Sequence, residues 1–401
     1  MARFFFNVIP ALIFSVWALA GGVPGWGAEA AAEPDRSGGE NPVETRRREA
    51  ARIASSLDDR LLAAQVMMSG VDGKGTLDED MKTLFAECPP GGIMFFRYNL
   101  DTEPRETKAF LREWAAFVAV TGAGGRGVPP FMAVDHEGGD VHRFGPGITR
   151  LPAAGSYWEL AEARGWDEAL ASLEDAAFRS AMEIRDLGIT LNFAPLAETL
   201  TNENRPFLEG RSYGPDPRFV EKAAGAFIRG MGRAGIGAVA KHFPGSTGAD
   251  PHVSASALAG DRETLAVMVR PFTALIAAGM VPAVMVSHNR VPAWDAENNA
   301  SLSAAVMETW LRGELGFTGI IIADDFSMAA AAASGLTAEA AAIKSLAAGA
   351  DMVMAWPGNI RRMYQAILAA VQRGDLPRER LREAAERILF EKIRLGIIDG
   401  E

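Results

Sequence analysis

The sequence is poor in cysteine and in histidine. Only Cys88 occurs among the 401 residues, which excludes an internal disulfide and a cysteine-based zinc site. We interpret it as a small buried core residue. The five histidines include no H-E-x-x-H motif or comparable local set of metal ligands. The sequence therefore predicts no metal and no other cofactor. The alternative is a metal bound by the neighbouring Asp250 and His252, against which the other histidines fall on different predicted strands.

An excess of positive charge is also lacking. The 40 lysines and arginines are outnumbered by 51 acidic residues, which gives a formal net charge of -11. No stripe of basic residues interrupts this balance, so the composition argues against a nucleic-acid partner and favours solubility. Hydrophobic residues make up 48% of the chain, enough to fill a sizeable core.

Long hydrophobic runs are confined to the N-terminus. Arg3 precedes an apolar stretch from about Phe4 to Ala20, and Ala28-Glu29-Ala30 has the small-x-small pattern of a cleavage site. Residues 1–30 therefore predict a secretory signal peptide cleaved after Ala30, and thus a periplasmic or extracellular protein. The alternative is an uncleaved membrane anchor. No other segment is apolar enough to span a membrane, so we expect no membrane span after cleavage.

The polar residues 31–52, rich in proline, glycine and charge, predict a linker. One folded domain is then expected over residues 53–401, and we expect it to be a monomer.

Short apolar runs recur through this domain, and they do not alternate with polar residues. This pattern is typical of strands that are covered on both faces. The runs cover residues 63–71, 91–96, 130–135, 189–195, 236–243, 282–288, 319–324 and 351–356. Amphipathic helical stretches separate them, for example residues 107–120, 166–188 and 263–279. Eight alternations predict a single (β/α)8 barrel; the alternative is a doubly wound open sheet, although no GxGxxG follows an early strand.

Polar residues collect where the predicted strands end. In a barrel these ends form the face that carries the chemistry. Asp135, Lys241-His242, His288 and Asp324-Asp325 follow or end apolar runs. All five histidines lie in such strand ends or in the loops after them, namely His136, His142, His242, His252 and His288. The sequence therefore predicts an active site at this face.

Two short motifs supply candidate catalytic groups. Adjacent strand residues point to opposite sides, so one of Asp324 and Asp325 is expected to face the barrel mouth as a nucleophile or ion-pair partner. The alternative is that both cap the helix that follows. In Asp250-Pro251-His252, the carboxylate can fix the tautomer of an imidazole that titrates near neutrality, and such a dyad can donate and withdraw a proton.

Longer motifs follow one another along residues 60–398. They include VDHEGGDVHRF (134–144), LNFAPLAE (191–198), RPFLEGRSYGPDP (205–217), AVAKHFPG (238–245) and GFTGIIIADDFSM (316–328). In this order they resemble the DQEGGRVxRF, NFAPVxD, GxRSFGxDP, KHFPG and GFxGxIxSDDLxM patterns of glycoside hydrolase family 3, specifically its β-N-acetylhexosaminidase branch. The resemblance extends over nearly the whole predicted domain.

The resemblance implies a retaining hydrolase of terminal N-acetyl-β-D-glucosaminides, from cell-wall peptidoglycan or chitin-type fragments, with a saccharide as its partner. Asp324 matches the catalytic nucleophile, and Asp250 with His252 matches the acid/base dyad. Further matching positions bind the hydroxyls of the terminal sugar, and these are Asp135, Arg143, Arg211, Lys241 and His242. We expect the cationic side chains among them to keep Asp324 ionised.

The loop that carries the dyad departs from the family pattern. Ser246 occupies a position where histidine is common, Pro251 replaces the usual serine, and the segment from Lys241 to His252 is short. Gly245 to Gly248 predict a mobile loop with little local order. The altered loop motivates one alternative, a catalytically weakened sugar-binding protein of the envelope. A second alternative is a related enzyme, a β-glucosidase or a glycoside phosphorylase.

Overall fold

The computed structural model describes residues 41–121 and 127–398. At the centre of this part of the chain lie eight short parallel strands whose residues are all buried, as expected of strands covered on both faces. The strands are β1 (Met67–Gly70), β2 (Gly92–Phe95), β3 (Phe131–Val134), β4 (Leu191–Asn192), β5 (Gly237–Phe243), β6 (Ala283–Val286), β9 (Ile320–Ala323) and β10 (Val353–Ala355). A separate antiparallel hairpin is formed by β7 (Arg290–Val291) and β8 (Asp295–Asn299).

The central sheet closes on itself. Its strand order is β10-β1-β2-β3-β4-β5-β6-β9, and the two ends of this order meet. The N–H of Ala323 donates to the carbonyl of Met352 at 2.9 Å, and the N–H of Met352 donates to the carbonyl of Ile321 at 3.1 Å. The predicted single (β/α)8 barrel is confirmed, and the open doubly wound sheet is wrong.

Helices connect the strands and cover the barrel. Those described are α1 (Pro42–Ser56), α2 (Asp59–Gln65), α3 (Glu79–Glu87), α4 (Arg97–Leu100), α5 (Pro104–Val120), α6 (Ala154–Arg164), α7 (Trp166–Leu187), α8 (Arg205–Leu208), α9 (Pro217–Arg233), α10 (Arg262–Met268), α11 (Arg270–Ala277), α12 (Ala329–Ala332), α13 (Ala338–Ala347), α14 (Ile360–Arg373) and α15 (Arg378–Arg394). A 3-10 turn (Ala300–Leu302) precedes a π-helix (Ala305–Glu314). Within residues 41–121 and 127–398, no helix has both the length and the apolar character needed to cross a membrane.

The predicted linker is wrong in its second half, because α1 begins at Pro42. The side chain of Asn41 accepts the N–H of Val43 at 3.0 Å, and proline is well tolerated in the first turn of a helix. Ala50 and Ala54 are buried, and α1 packs against α15. Because α1 has so few buried positions and is otherwise polar, its amphipathic pattern is too weak to recognise in the sequence. Residues 31–40, like the predicted signal peptide (1–30), lie outside the described residues.

Two predicted elements have different bounds. The first three residues of the run 63–71 end α2 rather than begin a strand. The helix predicted over 263–279 is divided into α10 and α11 at Val269, since Pro271 has no N–H to continue the hydrogen bonding of α10. The barrel is unaffected by either difference.

A buried ion cluster lies at the amino ends of the strands, away from the predicted active site. Asp351, which is 0% exposed, precedes β10 and accepts from Arg312 at 2.6 Å, from Arg380 at 2.5 Å and from Arg387 at 3.0 Å. It also accepts the N–H of Ile321 at 2.9 Å. This single carboxylate therefore joins β9, β10, the π-helix and α15.

Candidate active site

A cavity of about 400 Å³ opens at the carboxyl ends of the strands, the face that a barrel uses for chemistry. It is lined by most of the predicted site residues, namely Asp135, Arg143, Arg211, Lys241, His242, His252 and Asp324. Asp250 is absent from the lining but contacts His252. The structure thus brings residues from four separate segments of the chain to one site.

The two adjacent aspartates have different surroundings. Asp324 is 7% exposed, and its Oδ1 accepts the N–H of Asp325 at 2.9 Å. The carboxylate of Asp325 accepts from Trp356 Nε1 at 2.8 Å and from Ser327 Oγ at 2.6 Å. Asp325 is therefore held by its neighbours, whereas Asp324 remains available to a substrate. The alternative that both cap the next helix is wrong, because the N-cap of α12 is Met328.

Five ionisable residues, Asp135, Glu137, Arg143, Arg211 and Lys241, form what we call the charged wall of the cavity. Lys241 Nζ donates to Asp135 Oδ1 at 2.6 Å and lies 2.7 Å from Glu137 Oε1. Arg211 donates to both carboxylate oxygens of Glu137, at 2.9 and 2.8 Å. Arg143 Nη2 lies 3.7 Å from Asp135 Oδ2. Such bidentate and charge-assisted pairs fix the side chains in one geometry.

The partners within this wall determine its charge state. Burial lowers the pKa of Lys241, but the nearby carboxylates of Asp135 and Glu137 outweigh that effect and raise the pKa above its usual value. Burial likewise favours a raised pKa for Glu137, but Lys241 and Arg211 outweigh it and hold this pKa well below its usual range. Both groups are therefore charged at neutral pH.

The cations of the charged wall form no ion pair with Asp324 in the described residues. Lys241, Arg143 and Arg211 pair with Asp135 and Glu137 instead, and the described part of the chain contains no ion pair of Asp324. The reason is that Glu137 and Asp135 lie closer to the cations. The Asp325 N–H is the hydrogen-bond donor that contacts the Asp324 carboxylate.

His242 is held by a buried carboxylate that the sequence did not identify. Glu198 Oε1 accepts the backbone N–H of His242 at 3.1 Å and lies 2.8 Å from its Nδ1. A carboxylate in this position keeps a proton on Nδ1 and leaves Nε2 for another partner. Because a register shift interrupts the pairing of β5 with β6 between Ala240 and Phe243, Lys241 and His242 both line the cavity.

The loop after β5 has two parts. Ser246 and Thr247 are buried, and Ser246 Oγ donates to Glu198 Oε1 at 3.1 Å. The carbonyl of Gly245 accepts from Asn289 Nδ2 at 2.8 Å and from Ser287 Oγ at 3.3 Å. The expectation of little local order over residues 245–248 is therefore wrong, since these hydrogen bonds anchor the segment.

The second part of this loop carries the predicted dyad on the surface. His252 Nδ1 lies 2.7 Å from Asp250 Oδ1, which also accepts the backbone N–H of His252 at 2.9 Å. The His252 N–H, together with the imidazole, lowers the pKa of Asp250. The side chain of His252 is 63% exposed, yet it lines the same cavity as Asp324. The short loop therefore brings the imidazole to the site.

The other three histidines have structural surroundings. His136 is buried, with Nε2 3.0 Å from Ser180 Oγ, and burial lowers its pKa to about 3. His142 packs against it, with ring centroids 5.1 Å apart. His288 lies 2.7 Å from Ser301 Oγ and 2.9 Å from the carbonyl of Asp325. Although these three histidines follow predicted strands, they do not line the cavity.

The remaining lining of the cavity is apolar, and sequence reasoning missed it. It consists of Met94, Phe96, Val141, Phe207, Pro251, Met285, Met328, Met354 and Trp356. In the described residues, no group of three or more histidine, cysteine or acidic side chains has the arrangement of a metal site. The arrangement can hold a polar ring against charged groups and place a carboxylate and an imidazole beside it.

A family model, "Glycosyl hydrolase family 3 N terminal domain", matches residues 59–390. The match begins at the start of α2 and ends within α15, so it covers the whole barrel.

Two curated relatives are named beta-hexosaminidase. The protein from Methylococcus capsulatus is 36% identical over 289 residues, which cover 69% of this chain and 79% of the relative. The protein from Pseudomonas aeruginosa is 36% identical over 321 residues, which cover 77% and 86% respectively.

A solved structure has the same architecture. It is a glycoside hydrolase family 3 beta-N-acetylglucosaminidase from Paenibacillus sp. str. FPU-7, with a TM-score of 0.77 and 32% sequence identity. The match covers 86% of this chain and 64% of that one, so the present chain spans just under two thirds of that structure.

Proposed function

Because the chain belongs to glycosyl hydrolase family 3, we propose that it hydrolyses terminal N-acetyl-β-D-glucosaminides with retention of anomeric configuration. The names of its relatives, beta-hexosaminidase and beta-N-acetylglucosaminidase, support this sugar over glucose. Peptidoglycan or chitin-type fragments are the substrates we propose.

One observation carries the proposal: Asp324 and His252 line the same cavity as the charged wall. The hydroxyl groups of a terminal pyranose can donate to Asp135 and accept from Arg143, Arg211 or Lys241. His242 presents Nε2, which can also contact a hydroxyl. A sugar held by several fixed charged groups cannot rotate freely, and such positioning supplies a large part of catalysis.

In the first step, an oxygen of the Asp324 carboxylate attacks the anomeric carbon, and the bond to the leaving-group oxygen breaks. His252 Nε2 gives its proton to that oxygen, so the leaving group departs as an alcohol. The ionised Asp250 accepts the Nδ1–H of His252 and stabilises the imidazolium before transfer.

In the second step, water attacks the anomeric carbon of the glycosyl ester. The neutral His252 Nε2 accepts a proton from this water, and the Asp324 carboxylate is released. Two inversions give net retention, and His252 ends in its starting state.

The experiment measures turnover of p-nitrophenyl N-acetyl-β-glucosaminide by the purified protein, beside the matching glucoside and with and without phosphate. We expect release of p-nitrophenol from the N-acetylglucosaminide, independent of phosphate. Preference for the glucoside would indicate a β-glucosidase. Dependence on phosphate would indicate a phosphorylase, and binding without turnover would indicate a weakened sugar-binding protein.

Asp324→Asn keeps the shape of the side chain but removes the nucleophile, so we expect kcat to fall by about 10³-fold or more. Asp375→Asn, an exposed aspartate on the surface, is the matched control and should retain full activity. Equal turnover by Asp324→Asn and the wild type would rule out this mechanism.

We also propose that residues 1–30 export the protein and are cleaved after Ala30. Intact mass of the protein recovered from the periplasm or medium tests this. A mature chain that begins at Ala31 is expected, and an uncleaved chain in the membrane fraction would show an anchor instead.

A further inference from the structure

The loop that carries His252 begins and ends against one side chain. We call the segment from Gly245 to Ser256 the dyad loop. Asn289, which is 5% exposed, donates from Nδ2 to the carbonyl of Gly245 at 2.8 Å. The hydroxyl of Ser256 donates to Oδ1 of the same asparagine. The two polar atoms of one side-chain amide therefore tie the two ends of the dyad loop together.

Other hydrogen bonds reinforce this tie at both ends. At the end of the loop, the backbone N–H of Arg290 donates to the carbonyl of Ser256 at 3.0 Å. At its start, Ser287 Oγ also donates to the carbonyl of Gly245, at 3.3 Å. The donors lie within residues 287–290, directly after β6, which is the neighbour of β5 in the barrel. The end of one strand thus supports the loop that follows the next.

Between its two ends the dyad loop is mostly on the surface. Asp250 and residues 252–255 are exposed, and a segment with few buried contacts has little local stability of its own. The carbonyl of Pro251 accepts the N–H of Ala330 at 3.0 Å, which connects the middle of the loop to α12. The position of His252 therefore depends on this contact and on how the two ends are held.

We propose that Asn289 is a positioning residue for proton transfer, because it sets the place of the dyad loop and thereby the distance from His252 to the leaving-group oxygen. A general acid must lie within hydrogen-bond reach of the atom that it protonates. A misplacement of about 1 Å can cost about 10²-fold in rate. This inference rests on the proposed function, and it adds a residue that lies outside the cavity lining.

The leaving group of the substrate shows whether Asn289 acts through His252. Methyl N-acetyl-β-glucosaminide needs a proton on its leaving oxygen, whereas the p-nitrophenyl glycoside needs little protonation. For Asn289→Ala, we expect kcat/KM on the methyl glycoside to fall about 10- to 100-fold. On the p-nitrophenyl glycoside, kcat/KM should fall about three-fold or less. Ser256→Ala removes the other half of the tie and should show the same selectivity with a smaller loss.

A purely structural role for Asn289 predicts a different result. The preceding residue, His288, has its Nε2 2.9 Å from the carbonyl of Asp325. Damage that passes by this route to Asp324 would lower kcat/KM equally on both substrates, and equal losses would overturn the proposal. No loss on either substrate would overturn it as well.

A double variant asks whether the two residues act on one step. In a His252→Ala background, Asn289→Ala should cause no further loss on the methyl glycoside, because the group that it positions is already absent. A further loss as large as that of Asn289→Ala alone would contradict the proposal.

Asn298→Ala is the matched control. This side chain donates to Asp295 Oδ2 at 2.9 Å and accepts from Lys344 Nζ at 2.6 Å, and neither partner belongs to the dyad loop. The variant removes an amide with two hydrogen bonds, as Asn289→Ala does. It should leave the ratio of kcat/KM on the two substrates unchanged.

Hydrogen exchange separates this inference from the proposed function, because it needs no turnover. In Asn289→Ala, the backbone N–H groups of residues 246–256 should exchange about 10-fold faster than in the wild type, the effect of losing hydrogen bonds at the ends of the loop. Those of β6 should exchange as in the wild type. A wild-type protein without turnover whose dyad loop responds in this way would refute the hydrolysis and retain the tie. Turnover with unchanged exchange and an unchanged substrate ratio would refute the role of Asn289 alone.

Discussion

Glu198 is a residue whose role depends on a single oxygen atom. Its Oε1 lies within hydrogen-bond distance of His242 N, His242 Nδ1 and Ser246 Oγ. It therefore fixes the imidazole in the cavity and the beginning of the dyad loop together. We infer that Glu198 is a positioning residue, acting on the sugar through His242.

Glu198→Ala should lower kcat/KM on p-nitrophenyl N-acetyl-β-glucosaminide by about 10- to 100-fold, the range typical of residues that orient the histidines of metal sites. Glu198→Gln keeps an accepting oxygen and should recover part of this loss. Glu159→Ala, on the exposed side of α6, controls for the loss of a carboxylate. A variant Glu198→Ala with wild-type KM and kcat would contradict the role.

At the scale of residues, the sequence could predict those that end a strand but not their partners. Asp135, Lys241 and Asp324 follow apolar runs, and a barrel collects such positions at one face. Glu137 and Glu198 belong to quoted motifs, but their partners Arg211 and His242 lie 74 and 44 residues away. The sequence around a carboxylate in a loop does not indicate which distant cation that carboxylate will contact.

At the scale of elements, Asp351 joins several segments of the barrel. Three arginines from the π-helix and α15 surround its buried carboxylate, which also accepts a backbone N–H of β9. Removing this buried carboxylate leaves several cations without their partner.

Asp351→Ala should therefore lower the free energy of unfolding by about 3–5 kcal/mol, measured by urea denaturation. The exposed pair of Asp375 with Arg373 is the control, and Asp375→Ala should cost less than about 1 kcal/mol. Because the cluster lies at the other end of the barrel, kcat of the folded variant should remain unchanged. Equal stability of the two variants would show that the cluster contributes nothing.

Element predictions succeeded where burial on both faces made a strand apolar throughout, as in GIIIA at β9. These predictions failed where the chain is polar and the strand pairing is local. The hairpin of β7 and β8 includes Asp295, Glu297 and Asn298, whose side chains are at least partly exposed. The π-helix differs from an α-helix in its hydrogen bonds but not in its amphipathic pattern. An amphipathic pattern can therefore predict a helix there but not its type.

At the scale of the whole molecule, buried histidines make stability depend on pH. In the folded protein, burial lowers the pKa of His136 from 6.5 to about 3. Between these values the unfolded chain binds a proton that the folded protein does not. The contribution of neutral His136 to the free energy of unfolding is fully present above pH 6.5 and declines as the pH falls. Burial also lowers the pKa of His142 and of His288, which acts in the same direction.

Lowering the pH from 8 to 5 should thus reduce the free energy of unfolding by about 2 kcal/mol through His136 alone. His136→Asn should be less stable than the wild type at pH 8 but should lose less stability on acidification. Urea denaturation at both pH values measures the difference. An identical pH dependence of the two proteins would contradict the buried neutral imidazole.

The topology of the whole molecule could be predicted because eight strand-helix alternations leave few arrangements in which both faces of every strand are covered. The shape of the cavity could not, because it depends on side chains that meet from opposite sides of the barrel. Phe96 and Trp356 illustrate this, since their rings lie 5.0 Å apart in the cavity lining although they are far apart in the sequence.

The most direct test of the account is the leaving-group dependence of His252→Ala. If His252 protonates the leaving oxygen, kcat/KM on methyl N-acetyl-β-glucosaminide should fall by about 10²- to 10⁴-fold. The p-nitrophenolate leaving group needs little protonation, so the loss on the p-nitrophenyl substrate should be about 10-fold or less. Equal losses on the two substrates, or no loss on either, would contradict proton transfer from this loop.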